Sequence, residues 1–150
     1  GFDYDAMELE FWQNCYDIDM SVMYHRPKPI SEPLIIDIDP KYIGTQHATF
    51  KKLDKHECTD KDLDFTEKFD LIGSKDGSII DALVVWFDCM FENKLNKESV
   101  ICLSTSPEKE VTHWYSTVFL LPEKIKLNKG ERVHIELNAS RCEENSREYT

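Results

Sequence analysis

Apolar and polar residues alternate with a period of two in separate segments of this 150-residue chain, which is the pattern of half-buried β-strands. The alternation is clearest over 131–137, where Val133, Ile135 and Leu137 share one face. The run 79–91 is apolar on both faces, which predicts a central strand or a strand bent by a bulge. Shorter strands are predicted over residues 34–38, 48–53, 64–72, 100–104, 117–121 and 124–127.

The predicted helices are short and lie near the start of the chain. Apolar residues recur at helical spacing between Glu8 and Tyr24, and a turn is expected near Asp17. The large apolar residues of this segment must cover another surface, which is either the chain's own sheets or a partner. They are Phe11, Trp12, Cys15, Tyr16, Met20 and Met23. Three prolines between 27 and 33 then predict an extended connector.

Turn signals and strand spacing together predict the fold class. Asn128-Lys129-Gly130 is expected to join 124–127 and 131–137 into a hairpin, and Thr59 is expected to begin a helical turn. Many short strands at regular spacing, with helices confined to one end, predict an all-β domain with the form of a barrel or sandwich. The length suits one domain with one core, so residues 1–150 are predicted to form a single domain.

The charge balance narrows the class of partner. The net charge is −11, from 29 acidic and 18 basic residues, which argues against direct binding to a nucleic-acid backbone. An acidic surface favours cationic partners such as Arg/Lys-rich tails, although the same charge would also serve solubility alone. No apolar run approaches the roughly 18 residues of a membrane-spanning helix, so no membrane segment is predicted.

The cysteines indicate a reducing compartment, which predicts a cytoplasmic or nuclear location. They are odd in number and scattered, and they contain no Cys-x-x-Cys. His56 and Cys58 lie two residues apart, but no second pair completes the roughly four ligands of a structural zinc site. No metal site is therefore predicted. The cysteines are Cys15, Cys58, Cys89, Cys102 and Cys142.

The chain lacks the sequence of a self-sufficient active site. Its five glycines form no Gly-x-Gly after a strand, so no loop for a nucleotide or a methyl donor is predicted. The residue that draws attention is His113, which lies beside Trp114 between the segments 103–107 and 117–121. A histidine shielded by tryptophan could pair with a carboxylate supplied from elsewhere. The alternative is a surface histidine beside a structural tryptophan.

Four segments together resemble the type I protein arginine N-methyltransferases. The most specific is Leu103–Pro107 with Thr112–Trp114 and Thr117–Phe119, which resembles the Thr-His-Trp loop region of those enzymes. The segment 11–21 is similar to the start of their dimerisation arm. Two further similar segments are 32–37, at the strand that leaves the arm, and 81–88, in a long barrel strand.

The resemblance implies the carboxy-terminal β-barrel of such an enzyme, with a helical arm and connector over about 8–30. It implies that the methyl-donor-binding domain is absent from this chain. The intact enzyme is implied to transfer methyl groups from S-adenosyl-L-methionine to protein arginine. Its products would be mono- and asymmetric dimethylarginine on histones and Arg/Gly-rich proteins. This chain alone is expected to bind no cofactor and to be inactive.

The resemblance also implies roles for particular residues. His113 is implied to support catalysis, with Thr112 and Trp114 in its loop. Asp17 stands where the arm usually has glycine, so the turn there departs from the family pattern. The residues implied to form a homodimer interface are Phe11, Trp12, Tyr16, Met20 and Met23. The alternative function is a non-catalytic β-barrel interaction module that binds basic peptides.

Overall fold

The computed structural model describes residues 4–25, 33–92 and 100–142. Backbone contacts divide the chain into two compact units. The first unit takes in the residues up to Ile43 together with Ile79–Lys126. The second takes in Gly44–Ser78 together with the residues from Leu127 onward.

The described residues form one α-helix, three short 3-10 helices and seven strands. The helices are α1 (Tyr4–Gln13) and the 3-10 helices Ser21–His25, Pro40–Tyr42 and Asp60–Leu63. The strands are β1 (Leu34–Ile36), β2 (Phe65–Ile72), β3 (Ser78–Val85), β4 (Asp88–Glu92), β5 (Val100–Ser104), β6 (Ser116–Leu127) and β7 (Arg132–Ala139). None of the described helices has the length and apolar character needed to cross a membrane. The predicted all-β class is confirmed, and the described ladders form three separate sheets rather than a closed barrel.

In the first unit, β6 is the middle strand of a three-stranded sheet, with β1 on one side and β3 on the other. The antiparallel pairing with β1 runs from Leu34↔Val118 to Ile36↔Ser116. Val118 is fully buried and Ser116 nearly so, and both lie in the part of β6 that pairs with β1. The two strands predicted at 117–121 and 124–127 are therefore one strand.

The apolar run predicted as one long strand is two strands in different sheets. β3 ends at Val85 and β4 begins at Asp88, while Trp86 and Phe87 lie outside both ladders. β3 is an edge strand beside β6, and β4 pairs with β5 alone. Within the described residues the prediction of a central strand is therefore wrong, and the alternative of one strand bent by a bulge is wrong as well, because β3 and β4 pair in different sheets.

In the second unit, β2 and β7 form an antiparallel ladder along their whole length, from Phe65↔Ala139 to Ile72↔Arg132. Burial alternates along β7 with a period of two, which confirms the pattern predicted from the sequence. The half-buried residues on its inward face include Val133, Ile135 and Leu137.

The turn at Asn128-Lys129-Gly130 is present, but the predicted hairpin is wrong. β7 pairs with β2, whereas β6 pairs with β1 and β3. The turn is fastened to the turn that follows β2. The Asn128 side-chain oxygen accepts from the Gly77 N–H at 3.1 Å, and the Lys129 N–H donates to the Asp76 carboxylate at 3.0 Å.

The strand predicted over 48–53 is also absent. The Phe50 ring packs against Phe65 and Phe69 of β2, with centroid distances of 6.3 Å and 5.4 Å. Lys51 forms an ion pair with Glu67 at 3.3 Å. This segment covers the face of β2 with its side chains instead of adding a strand to the ladder.

The helical turn predicted to begin at Thr59 is confirmed as Asp60–Leu63. The Asp62 carboxylate accepts hydrogen bonds from the Thr59 N–H at 2.7 Å and from the Thr59 hydroxyl at 2.9 Å. These bonds favour the charged carboxylate and hold the pKa of Asp62 below its usual value.

Candidate functional site

The predicted site residues lie in a tight turn of the first unit that leads into β6. The Tyr115 N–H donates to the Thr112 carbonyl oxygen at 3.2 Å and closes the turn around His113 and Trp114. Tyr115 has a φ of 56°, in the left-handed region that residues with a Cβ rarely adopt. The turn therefore has a defined backbone shape although it lies outside the strands.

The imidazole of His113 stacks on the indole of Trp114. Their ring centroids are 3.8 Å apart and the planes are tilted by 32°. His113 is exposed, and Trp114 is 47% exposed. His113 makes no hydrogen bond or ion pair with any residue in the described ranges, so both ring nitrogens are available to a partner. The indole covers one face of the imidazole, and the functional role predicted for the pair stays a prediction.

Trp114 also contacts the ring of Phe87. The Phe87 and Trp114 rings meet edge to face, with centroids 5.8 Å apart and an interplanar angle of 78°. Aromatic pairs favour this geometry because the positive ring edge meets the negative ring face. Phe87 thus connects the loop to the link between β3 and β4.

The backbone of Phe87 is held by Thr105, whose side chain is buried. The Phe87 N–H donates to the Thr105 hydroxyl at 3.1 Å, and that hydroxyl donates to the Phe87 carbonyl oxygen at 3.1 Å. The Thr105 N–H donates to the same carbonyl at 3.0 Å. Thr105 therefore satisfies both polar backbone groups of Phe87, the carbonyl in part through a backbone bond that continues the pairing of β4 with β5.

Neighbouring polar contacts strengthen this junction. The Ser104 hydroxyl donates to the Asp88 carboxylate at 2.5 Å, and the Ser106 N–H donates to the Ser104 hydroxyl at 3.2 Å. The segment 103–107 and the loop 112–114, singled out together in the sequence, are thus connected through residues 87 and 88. The sequence placed Thr105 in the segment 103–107 and Phe87 in the segment 81–88, but it indicated no role at the site for either residue. The available signal was the hydroxyl run at 104–106 directly after a strand, since such residues bond to nearby backbone.

The side chain of Thr112 has an unsatisfied polar group. Its hydroxyl oxygen is buried and has no hydrogen-bond partner among the described residues. Buried hydroxyls normally find a partner, because an unpaired one loses its bonds to water. This unpaired group lies next to the exposed His113 in the chain.

The predicted arm residues lie in α1, the following turn and the first 3-10 helix. Cys15 and Ile18 exchange two backbone hydrogen bonds, of 3.0 Å and 3.1 Å, around a two-residue turn. The turn residues Tyr16 and Asp17 both have positive φ, of 57° and 62°. That conformation suits Asn-Gly or Gly-Gly, so this turn is strained where the resemblance pointed to a missing glycine.

The arm exposes much apolar surface. Phe11 is 59% exposed and Tyr16 is 93% exposed, whereas Trp12 and Met20 are half-buried. Met23 is exposed as well, and so are Ile18 and Val22, which the sequence analysis did not single out. Exposed apolar groups in such density are typical of an interface. Their role in a dimer stays a prediction.

Three of the glycines form turns rather than a cradle for a methyl donor. A Cβ on Gly73 would lie 2.2 Å from the Asn128 carbonyl oxygen, so protein backbone fills the space beside it. Gly77 and Gly130 face open space and have positive φ, of 66° and 82°. None of these three sites offers a backbone wall against which S-adenosyl-L-methionine would fit.

The described residues contain no group of three His, Cys, Asp or Glu side chains that could hold a metal ion. Cys58 and its near neighbour His56 are both exposed. All five cysteines are free thiols. The candidate site is thus the loop around His113 with its support from Thr105 and Phe87.

Comparison with known proteins identifies the family. The family described as the arginine methyltransferase oligomerization subdomain matches residues 2–150. The chain belongs to this family, and the resemblance found in the sequence is confirmed. It corresponds to the barrel-like carboxy-terminal region of arginine methyltransferases.

The curated relatives are much longer than this chain. Protein arginine N-methyltransferase 1 of Dictyostelium discoideum is 29% identical over 146 residues, which are 97% of this chain and 41% of the relative. Protein arginine N-methyltransferase 1.1 of Arabidopsis thaliana is 30% identical over 146 residues, which are 97% of this chain and 36% of the relative. The chain thus spans well under half the length of the relatives it matches.

Solved structures show the same fold. A chain of the Trypanosoma brucei PRMT1 enzyme-prozyme heterotetrameric complex with AdoHcy superposes with a TM-score of 0.78 and 28% identity, covering 98% of this chain and 45% of that one. Arabidopsis thaliana protein arginine methyltransferase 10 gives a TM-score of 0.74 at 21% identity, covering 95% of this chain and 44% of that one. The second likeness concerns the fold alone.

Proposed function

We propose that this chain is the oligomerisation and substrate-side barrel of an S-adenosyl-L-methionine-dependent protein arginine N-methyltransferase. The observation that carries the proposal is the exposed His113–Trp114 pair, stacked at 3.8 Å on a loop of an arginine methyltransferase subdomain. The relatives named as arginine methyltransferases support the reaction class, and the AdoHcy in the trypanosome complex supports the donor.

The chemistry explains why such a loop would matter. A guanidinium is a poor nucleophile while its charge is delocalised over its nitrogens, so carboxylates that orient it and localise the charge assist attack. S-adenosyl-L-methionine supplies the electrophilic methyl group when it is bound by the other part of the intact protein. His113 would pair with a carboxylate of that part and fix the loop beside the reacting guanidinium. Thr112 and Trp114 would hold the imidazole in place.

The arm would join two copies of the intact enzyme. Phe11, Trp12, Tyr16, Met20 and Met23 would form the homodimer contact, in line with the family's description as an oligomerization subdomain. The substrates would be Arg/Gly-rich proteins and histone tails, in the cytoplasm, the nucleus or both. The net charge of −11 would speed the approach of such cationic segments. The products would be mono- and asymmetric dimethylarginine.

The test uses the intact protein, radiolabelled S-adenosyl-L-methionine and an Arg/Gly-rich peptide, with mass spectrometry of the product. We expect mono- and asymmetric dimethylarginine from the intact protein. We expect neither methyl transfer nor calorimetrically detectable donor binding from residues 1–150 alone. An intact protein that binds the basic peptide without methylating it would instead be a non-catalytic interaction module. Donor binding by residues 1–150 alone would contradict the division of roles proposed here.

A further inference from the structure

We propose that Thr105 and Phe87 are positioning residues for the His113–Trp114 pair, so that a buried hydroxyl sets the geometry of the reacting loop. The inference rests on the proposed function, because it assigns a consequence for turnover to a contact chain that ends at His113. It proposes that Thr105 and Phe87 affect the rate of the reaction although neither residue touches the substrate.

The first link is the hydrogen bonding between Thr105 and Phe87. Thr105 is 6% exposed, and its hydroxyl both accepts from the Phe87 N–H and donates to the Phe87 carbonyl, each at 3.1 Å. Phe87 lies between β3 and β4, outside both ladders. The Thr105 N–H also donates to the Phe87 carbonyl at 3.0 Å, a backbone bond that is independent of the side chain. The hydroxyl adds the bond to the Phe87 N–H, so it completes the hold of Thr105 on the Phe87 backbone.

The second link is the ring contact. The Phe87 ring meets the Trp114 ring edge to face at 5.8 Å. Aromatic contacts of this kind are directional, so a rotated Phe87 backbone would no longer offer its ring to Trp114 in this geometry. Trp114 is 47% exposed, and the Phe87 ring is one of the groups that contact the rest of its indole.

The third link is the stack between Trp114 and His113. The imidazole lies 3.8 Å from the indole, centroid to centroid, and has no hydrogen bond to other residues in the described ranges. The stack is therefore an aromatic contact that favours one orientation of the imidazole. An error introduced at Thr105 would pass through Phe87 and Trp114 to the imidazole.

The experiment is a double-mutant cycle in the intact enzyme, with turnover on an Arg/Gly-rich peptide and melting temperature as readouts. Thr105→Val keeps the side-chain shape and removes the hydroxyl, whereas Thr105→Ser keeps the hydroxyl. Phe87→Leu removes the ring contact and leaves the Thr105 bonds to the backbone in place. Thr66→Val is the matched control, because its hydroxyl bonds to Asn138 at 2.7 Å in the other unit.

We expect Thr105→Val and Phe87→Leu each to lower turnover about tenfold, part of the roughly hundredfold that misplacement can cost. Thr105→Ser should recover most of the activity, and Thr66→Val should leave turnover unchanged. In a His113→Ala background, Thr105→Val should add no further loss, because both changes act through one group. This result would support the contact chain.

The failures are distinguishable. Absence of methyl transfer by the unsubstituted intact protein would overturn the proposed function, and this inference with it. Normal turnover in His113→Ala would overturn the role of His113, and the positioning role of Thr105 and Phe87 with it, but not the reaction class. A large loss in His113→Ala alone, with normal turnover in a folded Thr105→Val or Phe87→Leu, would overturn only the positioning role. So would a Thr105→Val loss that multiplies fully in the His113→Ala background. If Thr105→Val does not fold, Phe87→Leu decides the question in the same cycle.

Discussion

The backbone of Gly73 packs directly against the carbonyl of Asn128, so that a Cβ on Gly73 would lie 2.2 Å from that oxygen. Hydrogen bonds of 2.9 Å from the Gly130 N–H to the Gly73 carbonyl and from the Gly73 N–H to Glu131 fasten the two turns together. Gly73→Ala would force these turns apart, and overpacking of this kind costs about 1–3 kcal/mol. We expect a clear fall in the melting temperature.

Gly77→Ala is the matched control for this prediction. Gly77 has a φ of 66° but no atom within contact distance of a new Cβ. The substitution should cost only the backbone strain of a left-handed residue, about 1 kcal/mol. A Gly77→Ala variant that unfolds at a lower temperature than Gly73→Ala would contradict the packing account.

The strained turn of the arm gives a stabilising prediction. Tyr16 and Asp17 both have positive φ, which a residue with a Cβ adopts at a cost of roughly 1 kcal/mol. Asp17→Gly should remove part of that strain and raise the thermal stability of the arm. The gain should appear as slower amide hydrogen exchange at Cys15 and Ile18, whose backbone bonds close the turn.

Asp19→Gly, the same substitution two residues later, should lower the stability of the arm instead of raising it. Asp19 is outside the left-handed region, and its carboxylate accepts from the Ser21 N–H at 2.9 Å. That bond lowers the pKa of Asp19 and favours the start of the 3-10 helix Ser21–His25. Asp19→Gly should therefore speed exchange in the arm. Equal effects of the two substitutions would refute the conformational argument.

The exposed arm predicts the behaviour of the intact enzyme in solution. Replacing Trp12 and Tyr16 together by alanine should shift sedimentation toward monomer and lower activity, because interfaces depend on such aromatic groups. Ile79→Ala, at another exposed apolar residue outside the arm, serves as the comparison. Unchanged sedimentation with lost activity would mean that the arm acts on the reaction by another route.

The ion pair between Asp64 and Arg141 predicts a pH dependence of stability. Arg141 donates to the Asp64 carboxylate at 2.7 Å, and this side-chain bond, with a backbone bond from the same residue, holds the pKa of Asp64 below its ordinary 3.8. A lowered carboxyl pKa contributes stability that is present above the ordinary value and lost as the pH falls through the lowered one. Asp64→Asn should therefore lose less stability than the unsubstituted chain on acidification from about pH 5 to about pH 2. The check is urea unfolding at both pH values, and identical losses would contradict the assignment.

The limits of sequence reasoning are visible in β7. Its inward face was predicted correctly, because alternation is a local property of the strand. Its partner strand was predicted wrongly. The pairing of β7 with β2 is accompanied by contacts between residues far apart in the sequence, such as Asn128 and Gly77, which are separated by 51 residues. A turn signal shows where the chain reverses but not which strand it meets next.

The same distinction applies to the candidate site. His113 and Trp114 were found because they are adjacent in a motif. Phe87 and Thr105 are separated by 18 residues and joined by backbone-to-hydroxyl bonds, which leave no spacing pattern. Their connection to the loop is a property of the folded chain.

The most direct test of the account is His113→Ala in the intact enzyme, with melting temperature and turnover on an Arg/Gly-rich peptide measured together. His134→Ala is the matched control, since His134 is an exposed histidine on β7, opposite Asp70. We predict that His113→Ala changes stability by no more than about 1 kcal/mol, because the residue is exposed on a loop. Turnover should fall on the order of a hundredfold, and the control should stay near normal. A large fall in melting temperature with near-normal turnover would show instead that His113 is a structural residue.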